Sequence, residues 1–478
     1  MKVTRTLVST VVAAVVVALT VIPAPQAAAT PWPYLFHWGT TLPSVTVVTD
    51  HTGDTATDPY SGGGFAAVTA TSAGGSIYQD HNMTINVGDT LCSTAEVVTV
   101  GTATGGGADI ALFMGGGTTE SSDKNVTSLP NGNQWQQIGT CVTATISHTW
   151  FRIQISPIAG GPTIGVDDVD THIDLARNGG FNNGFAYWSL FPNSAYATYT
   201  NGAAGTPWEG TQFVATNTTA AVGGIYQDIP YVVSAGTTVC ASAQLATQAT
   251  ATGAHGFFQI TLLGTNTYDY SQDRFANLPS SSTWTPVSAC VAATTSRSTI
   301  RVEIKPDAGA PTVIADAVDV HLSVVGNGGL DANAAYWNTI APTVVTSYGP
   351  GVTGIDPHDG AGEGVATPGH STYQDFTSSL TEYCFSAQVA SAFSSPATGS
   401  FAFWDLRNGY SPIASKNYPT LPTTSWMPLH ICMSEYGDGT AFAHRTELYI
   451  NSGILAFDTV DVHPSLTGNS SMELPKIS

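Results

Sequence analysis

Three octapeptides decide how this chain is read: GVDDVDTH at 165–172, IADAVDVH at 314–321 and AFDTVDVH at 456–463. Each carries Asp-x-Val-Asp-x-His. In a regular β-strand, alternate side chains share a face. Asp167, Val169 and Thr171 are therefore expected on one face, as are Asp316, Val318 and Val320, and Asp458, Val460 and Val462. The valines mark that face as core. The first Asp then sits at the inward rim, where a carboxylate needs hydrogen-bond donors or a cation to offset desolvation. The opposite face carries Asp170 with His172, Asp319 with His321, and Asp461 with His463. Two residues span roughly 7 Å of strand, so each pair is able to ion-pair but not to hold a metal alone. Its role is a surface hydrogen bond, a contact with a neighbouring unit or, with further ligands, zinc binding or catalysis.

Working outward from the motif, the chain repeats three times. IYQD at 77 and 225 and TYQD at 372 each precede a cysteine, 14 residues on for Tyr78 to Cys92 and Tyr226 to Cys240, and 11 for Tyr373 to Cys384. A Leu-Pro step follows (Leu129, Leu278, Leu421), then a tryptophan six residues before a second cysteine: Trp135 to Cys141, Trp284 to Cys290, Trp426 to Cys432. The motif histidine lies 31 residues past that second cysteine in every copy. Unit starts read NGGFNNGFAYW at 178–188 and NGGLDANAAYW at 327–337, whereas the first unit keeps only LFHW ending at Trp38. The expected division is a module over 30–174 with a divergent start, modules over 175–323 and 324–466 in close contact with it, and a tail over 467–478.

Residues 1–29 read as a secretory signal peptide: Lys2 and Arg5, an apolar run from Leu7 to Ile22, then PAPQAAA with cleavage expected after Ala29. That run is shorter than the ~20 residues of a membrane span. No second such run appears, and the tail TGNSSMELPKIS carries no wall-sorting signal, so free secretion is expected. With 13 Lys plus Arg against 34 Asp plus Glu, the net charge of −21 argues against nucleic acid and anionic membrane as partners.

The six cysteines fall two to a unit at separations of 49, 50 and 48 residues, which in a secreted chain predicts the bridges Cys92–Cys141, Cys240–Cys290 and Cys384–Cys432. Each closed loop is worth roughly 4 kcal/mol on the chain-entropy estimate. Stretches such as TTVCASAQL and STIRVEIKP alternate apolar and polar residues, with turn-forming clusters between them. Charged residues make up only 10% of the chain. The expected fold class is all-β, three tandem β-sandwich or jelly-roll domains.

An Asn-Gly-Gly-Phe start with a tryptophan ten residues on, a Gly-x-x-x-Cys strand, a Trp-x-x-Val strand and a closing Asp-Asp-Val together resemble the CenC-type carbohydrate-binding modules, galactose-binding-like jelly rolls joined to many bacterial cellulases and xylanases. The resemblance implies polysaccharide binding, of cell-wall or plant type. It also implies a structural calcium between the opening segment and the first closing Asp, here Asp167, Asp316 or Asp458. The acidic residue of the opening segment is Asn182 in unit two, Asp331 in unit three and missing in unit one. The alternative for these aspartates is a carboxylate accepting backbone N–H bonds.

No nucleophile elbow, zinc-protease helix, P-loop or dinucleotide fingerprint occurs. Glu209, Glu303 and Glu363 are the carboxylates available for glycoside hydrolysis, but Glu303 stands where unit one has Gln154. Sugar binding uses aromatic faces flanked by amides and carboxylates. Aromatics found in all three units, Tyr78, Tyr226 and Tyr373 with the Trp-x5-Cys tryptophans, are expected in the core. Those special to one unit are expected at ligand: Tyr187, Tyr199, Trp208, Tyr268 and Tyr270 in unit two, Trp404 and Tyr410 in unit three. The expected function is non-catalytic polysaccharide binding. The alternatives are a structural or adhesive extracellular protein and a glycoside hydrolase.

Overall fold

The computed structural model describes residues 39–466, apart from 42–44, 52–55, 61–63, 324–336, 407–410, 435–441 and some shorter gaps. Signal segment, tail, Asp331 and Tyr410 lie outside the described residues. Among the described residues every regular element is a β-strand, and no helix is long and apolar enough to cross a membrane.

Ten strands recur in each unit, over 39–174, 189–323 and 338–464. Counting strands one to ten within a unit, a first five-stranded sheet runs 1-4-9-6-7 and a second runs 2-3-10-5-8, in the same order all three times. The period of two is visible in the fourth strands: IYQDHNMTI and IYQDIPYVV bury the same positions, so that Ile77, Gln79, His81 and Ile85 match Ile225, Gln227, Ile229 and Val233. Between the sheets lies one core per unit. In unit two Phe258, Ile260 and Val302 from the first sheet meet Val239, Leu245 and Val320 from the second.

The three disulfides join the pairs that the spacing predicts, Cys92–Cys141, Cys240–Cys290 and Cys384–Cys432. Each couples directly opposed residues on the fifth and eighth strands, with Cα atoms 4.0 to 4.1 Å apart.

The tenth strands, Ile164–Asp174, Val313–Ser323 and Leu455–Pro464, correct the expected parity. Asp167 pairs with Glu96 but Asp170 with Thr94, so residues 168 and 169 together oppose the single Ala95. The same slip separates Asp316 from Asp319 and Asp458 from Asp461. It is a β-bulge whose extra residue is left-handed: φ is 43° at Asp168, 49° at Ala317 and 47° at Thr459. Such a conformation costs a non-glycine residue roughly 1–2 kcal/mol, so the surroundings impose it. The bulge turns both aspartates and the histidine to one face, the face of Cys92, Cys240 and Cys384, while Val320 and Val462 remain in the core. The first Asp therefore does not share the core face.

That outer face of the second sheet is covered by the other two units. Leu455–Pro464 is buried at every position but the last, with none of the alternation of a strand that has one wet face. The three tenth strands meet end to side in a closed cycle. Asp174 Oδ1 accepts Val320 N–H at 2.7 Å, Ser323 Oγ accepts Val462 N–H at 3.0 Å, and Ser465 Oγ accepts Thr171 N–H at 3.3 Å. Each acceptor sits two residues past the motif histidine of one unit, and each donor one residue before that of another. The units thus surround a pseudo-threefold axis, and unit three closes on unit one without a covalent link.

Candidate functional site

On the axis the repeated Asp and His side chains form one ring. His172 Nδ1 lies 2.6 Å from its own Asp170, and its Nε2 lies 3.0 Å from Asp319 of unit two. His321 reaches Asp319 at 2.7 Å and Asp461 of unit three at 2.8 Å. His463 reaches Asp461 at 2.6 Å and Asp170 at 3.1 Å, which closes the circuit. Adjacent imidazole centroids are 4.5 to 5.3 Å apart.

A carboxylate only accepts hydrogen bonds, so a histidine with both nitrogens against carboxylates donates from both and is an imidazolium. Three positive and three negative charges then cancel within the ring. Burial opposes charge on His321, but Asp461 and Asp319 outweigh it and push its pKa up to about 10. His172 and His463 are raised for the same reasons. Burial likewise opposes ionisation of Asp170, Asp319 and Asp461, yet the histidines hold all three below the usual carboxylate range. Asp170, His172 and His463 also stand close enough to share a metal. A metal needs the lone pair of a deprotonated nitrogen, though, and every ring nitrogen here faces a carboxylate at hydrogen-bond distance. Cysteines Cys92, Cys240, Cys384 and Cys432 lie close by, but as disulfides they offer no thiolate.

Away from the axis, the first Asp of the motif in units two and three staples a loop that enters the third strand. Asp316 accepts N–H bonds from Trp208 at 2.7 Å, Glu209 at 3.1 Å and Ala317 at 2.9 Å. Asp458 accepts them from His358 at 2.8 Å, Asp359 at 3.2 Å and Thr459 at 2.8 Å. Asp167 accepts Asp168 N–H at 2.9 Å. Calcium takes six to eight oxygens. Asp316 and Asp458 each accept three N–H bonds, so backbone donors already offset much of the cost of burying these carboxylates. The opening segment is zipped to the closing strand by its own backbone: Gly179 carbonyl accepts Val318 N–H at 3.2 Å, an approach that leaves no room for a Cβ at Gly179.

The stapled loops also make the seams between units. Lys124 of unit one sits 4.8 Å from the Trp208 ring of unit two. Asp273 of unit two lies 3.9 Å from His358 of unit three, and Lys416 of unit three covers Tyr60 of unit one. Lys124, Asp273 and Lys416 each stand five residues before the Leu-Pro step. Backbone bonds back them: Gly210 N–H to Asp123 carbonyl at 3.2 Å and Gly360 N–H to Gln272 carbonyl at 3.0 Å, which cover the edges of two first sheets. Burial in the seam pushes the pKa of Glu209 up to about 8.

The outer faces of the first sheets turn away from the axis and carry a second repeated device. Arg152 bonds Asp80 through both Nε and Nη2 and lies 3.9 Å over Tyr78. Arg301 does the same with Asp228 and Tyr226, and Arg445 with Asp375 and Tyr373. These tyrosines are thus half-buried beneath guanidinium groups, outside the core where their recurrence had placed them. Sequence reading passed over the arginines, although FRIQ, IRVE and HRTE recur at 151, 300 and 444. Next in the row beyond the arginine stands Phe113 in unit one, Thr261 followed by Tyr270 in unit two, and Trp404 in unit three.

The sequence-predicted ligand aromatics therefore divide. Tyr270 and Tyr268 are 49% and 63% exposed on the edge strand of unit two, with ring centroids 5.9 Å apart and Tyr270 directly opposite Thr261. Trp404 is part-buried next to Arg445. Tyr187 is 51% exposed near Arg177, outside the row, and Tyr199 stacks on Phe213 over the second sheet. Trp208 lies in the seam already described. The recurrent Trp135 and Trp284 are half-buried, their indoles bonded to Asp58 and Thr206 carbonyls.

No family model matches the chain, and no curated protein matches it. Among solved structures, it is similar to the tandem pair of family 22 carbohydrate-binding modules from Xyn10C of Paenibacillus barcinonensis, at 12% identity and TM-score 0.25 over 60% of this chain and 96% of that one. It is similar to the C-terminal family 22 module of Clostridium thermocellum Xyn10B at 14% identity and TM-score 0.24, over 30% of this chain and 89% of that one. A cyclase from Fischerella scores as well, at 14% identity and TM-score 0.25 over 30% of this chain and 94% of that one. Function is left to the chain's own side chains.

Proposed function

We propose that the chain is a secreted, non-catalytic protein that binds neutral polysaccharide of cell-wall or plant type through the outward faces of the first sheets in units two and three. One observation carries this reading. The row Asp375–Arg445–Trp404 sets an aromatic ring beside a fixed guanidinium and carboxylate, and the row Asp228–Arg301–Thr261–Tyr270 sets one a strand further on, both on faces turned away from the axis. A pyranose stacks its C–H face on such a ring while its hydroxyls take the flanking polar groups. The net charge of −21 favours a neutral polymer over a polyanion. Non-catalytic action agrees with the burial of Glu209, Glu303 and Glu363.

The test uses the full chain. It should be retained on at least one of insoluble cellulose, xylan, chitin or β-glucan. Changing Trp404, Tyr268 and Tyr270 together to Ala should weaken retention ~10-fold or more with little change in melting temperature. If the unchanged chain binds none of these and a broad glycan array is blank, the adhesive, protein-binding reading replaces this one.

A further inference from the structure

We propose that the molecule cross-links separate polysaccharide strands, an inference that rests on the polysaccharide reading above. The geometry of the ring carries it. The second sheets converge on the axis, where imidazole centroids are 4.5 to 5.3 Å apart. The first sheets lie about 10 Å further out across each core. Their outer faces therefore look away from the axis, in directions that a closed cycle of three sets roughly 120° apart.

Backbone and side-chain bonds among the described residues of the joints hold those faces apart. Leu175 N–H bonds the Val320 carbonyl at 2.7 Å within a few residues of leaving unit one, beside the Asp174–Val320 bond. At the next joint the Ser323 hydroxyl accepts the Val462 N–H and donates to the Val462 carbonyl. The Asp–His ring and the stapled loops fix the remaining seams. Modules on flexible linkers bind one strand side by side and gain avidity on it. Here the exposed Tyr268 and Tyr270 of unit two and the Trp404 row of unit three face different sectors, so a straight strand held by one leaves the other open to a second strand.

Light scattering from the full chain mixed with soluble xylan or mixed-linkage β-glucan tests this. Scattering should rise to a maximum at an intermediate ratio of protein to polymer and fall again when protein is in excess, because excess protein caps every strand singly. Trp404→Ala alone, or Tyr268→Ala with Tyr270→Ala alone, should abolish the scattering while the protein is still retarded in a gel containing the same polymer. The unit-two pair keeps the comparison valid if Trp404→Ala lowers the melting temperature, since both tyrosines are exposed. Retardation without scattering at any ratio, or scattering that survives in both single-face variants, overturns cross-linking and leaves the polysaccharide reading standing. Absence of retardation for the unchanged chain removes both.

Discussion

Each sandwich has two outer faces, and the chain uses the same chemistry on both to different ends. On the first sheet, Asp228 pairs with Arg301 at 2.6 Å in a partly hydrated setting. On the second, Asp319 pairs with His321 at 2.7 Å and with His172 of another unit at 3.0 Å, buried on the axis. Distance does not separate the two. What differs is how much water is lost and whether the partner belongs to the same unit. An exposed pair is worth about 0.2–1 kcal/mol. Removing one member of a buried pair strands the other charge and costs about 3–5 kcal/mol.

The largest expected effect follows directly. Asp319→Ala leaves two buried imidazolium groups short of a partner and should lower stability by about 3–5 kcal/mol. Asp228→Ala should cost less than about 1 kcal/mol. Urea midpoints of the two variants compare them, and equal shifts would mean that the axis is no more buried than the outer face.

Changes of pH should sharpen the contrast next. A histidine whose folded pKa lies above its unfolded value near 6.5 stabilises fully below that value and loses the contribution as pH rises through the folded pKa, about 10 for His321. Glu209, raised to about 8 by burial, acts in the same sense: its contribution is present below its unfolded value and lost as pH climbs to the folded one. Asp170, Asp319 and Asp461, held low by the histidines, contribute above their unfolded value and lose that on acidification. Melting should therefore be highest at mildly acidic pH and decline steadily from pH 7 to 10. His321→Gln should flatten that decline, whereas Arg301→Gln on the outer face should leave its slope alone. A profile flat over this range in the unchanged chain contradicts a charged ring.

The smallest effect is expected from removing divalent cations. Because Asp316 and Asp458 already accept three N–H bonds each, chelation should change the melting temperature little. A clear drop, with calcium found by elemental analysis, would contradict this and favour calcium beside the closing aspartates.

Much of this architecture was legible from residue spacing. Constant cysteine separations gave the disulfides, because opposed residues on paired strands repeat at fixed distance when the strands do. Two-residue alternation gave the sandwich. The bulge was not legible: parity counting presumes a regular strand, and the left-handed positions hold Asp168, Ala317 and Thr459, of which only the first suits that conformation. Nor was the ring, since an Asp-x-His pair on one strand says nothing of where two other strands bring theirs. The tyrosines of IYQD misled because recurrence suggests core, whereas these recur to support an arginine. Trp208 reads as a ligand platform from sequence because it is special to unit two. Yet its neighbours in sequence, Pro207 and Gly210, match Pro357 and Gly360 of the unit-three seam loop, a correspondence that marks the position as structural.

Histidine nuclear magnetic resonance tests the central claim, that the three units close on a ring of imidazolium and carboxylate groups, most directly. With ¹⁵N-labelled histidine in the full chain at pH 8, His172, His321 and His463 should each show two protonated ring nitrogens, slow to exchange with water. Their Nε2 protons should vanish as carboxylate-bound signals in Asp170→Asn, Asp319→Asn or Asp461→Asn according to the cycle: His463 for the first, His172 for the second, His321 for the third. Three neutral imidazoles titrating near pH 6.5, indifferent to aspartates of the other units, would contradict the ring.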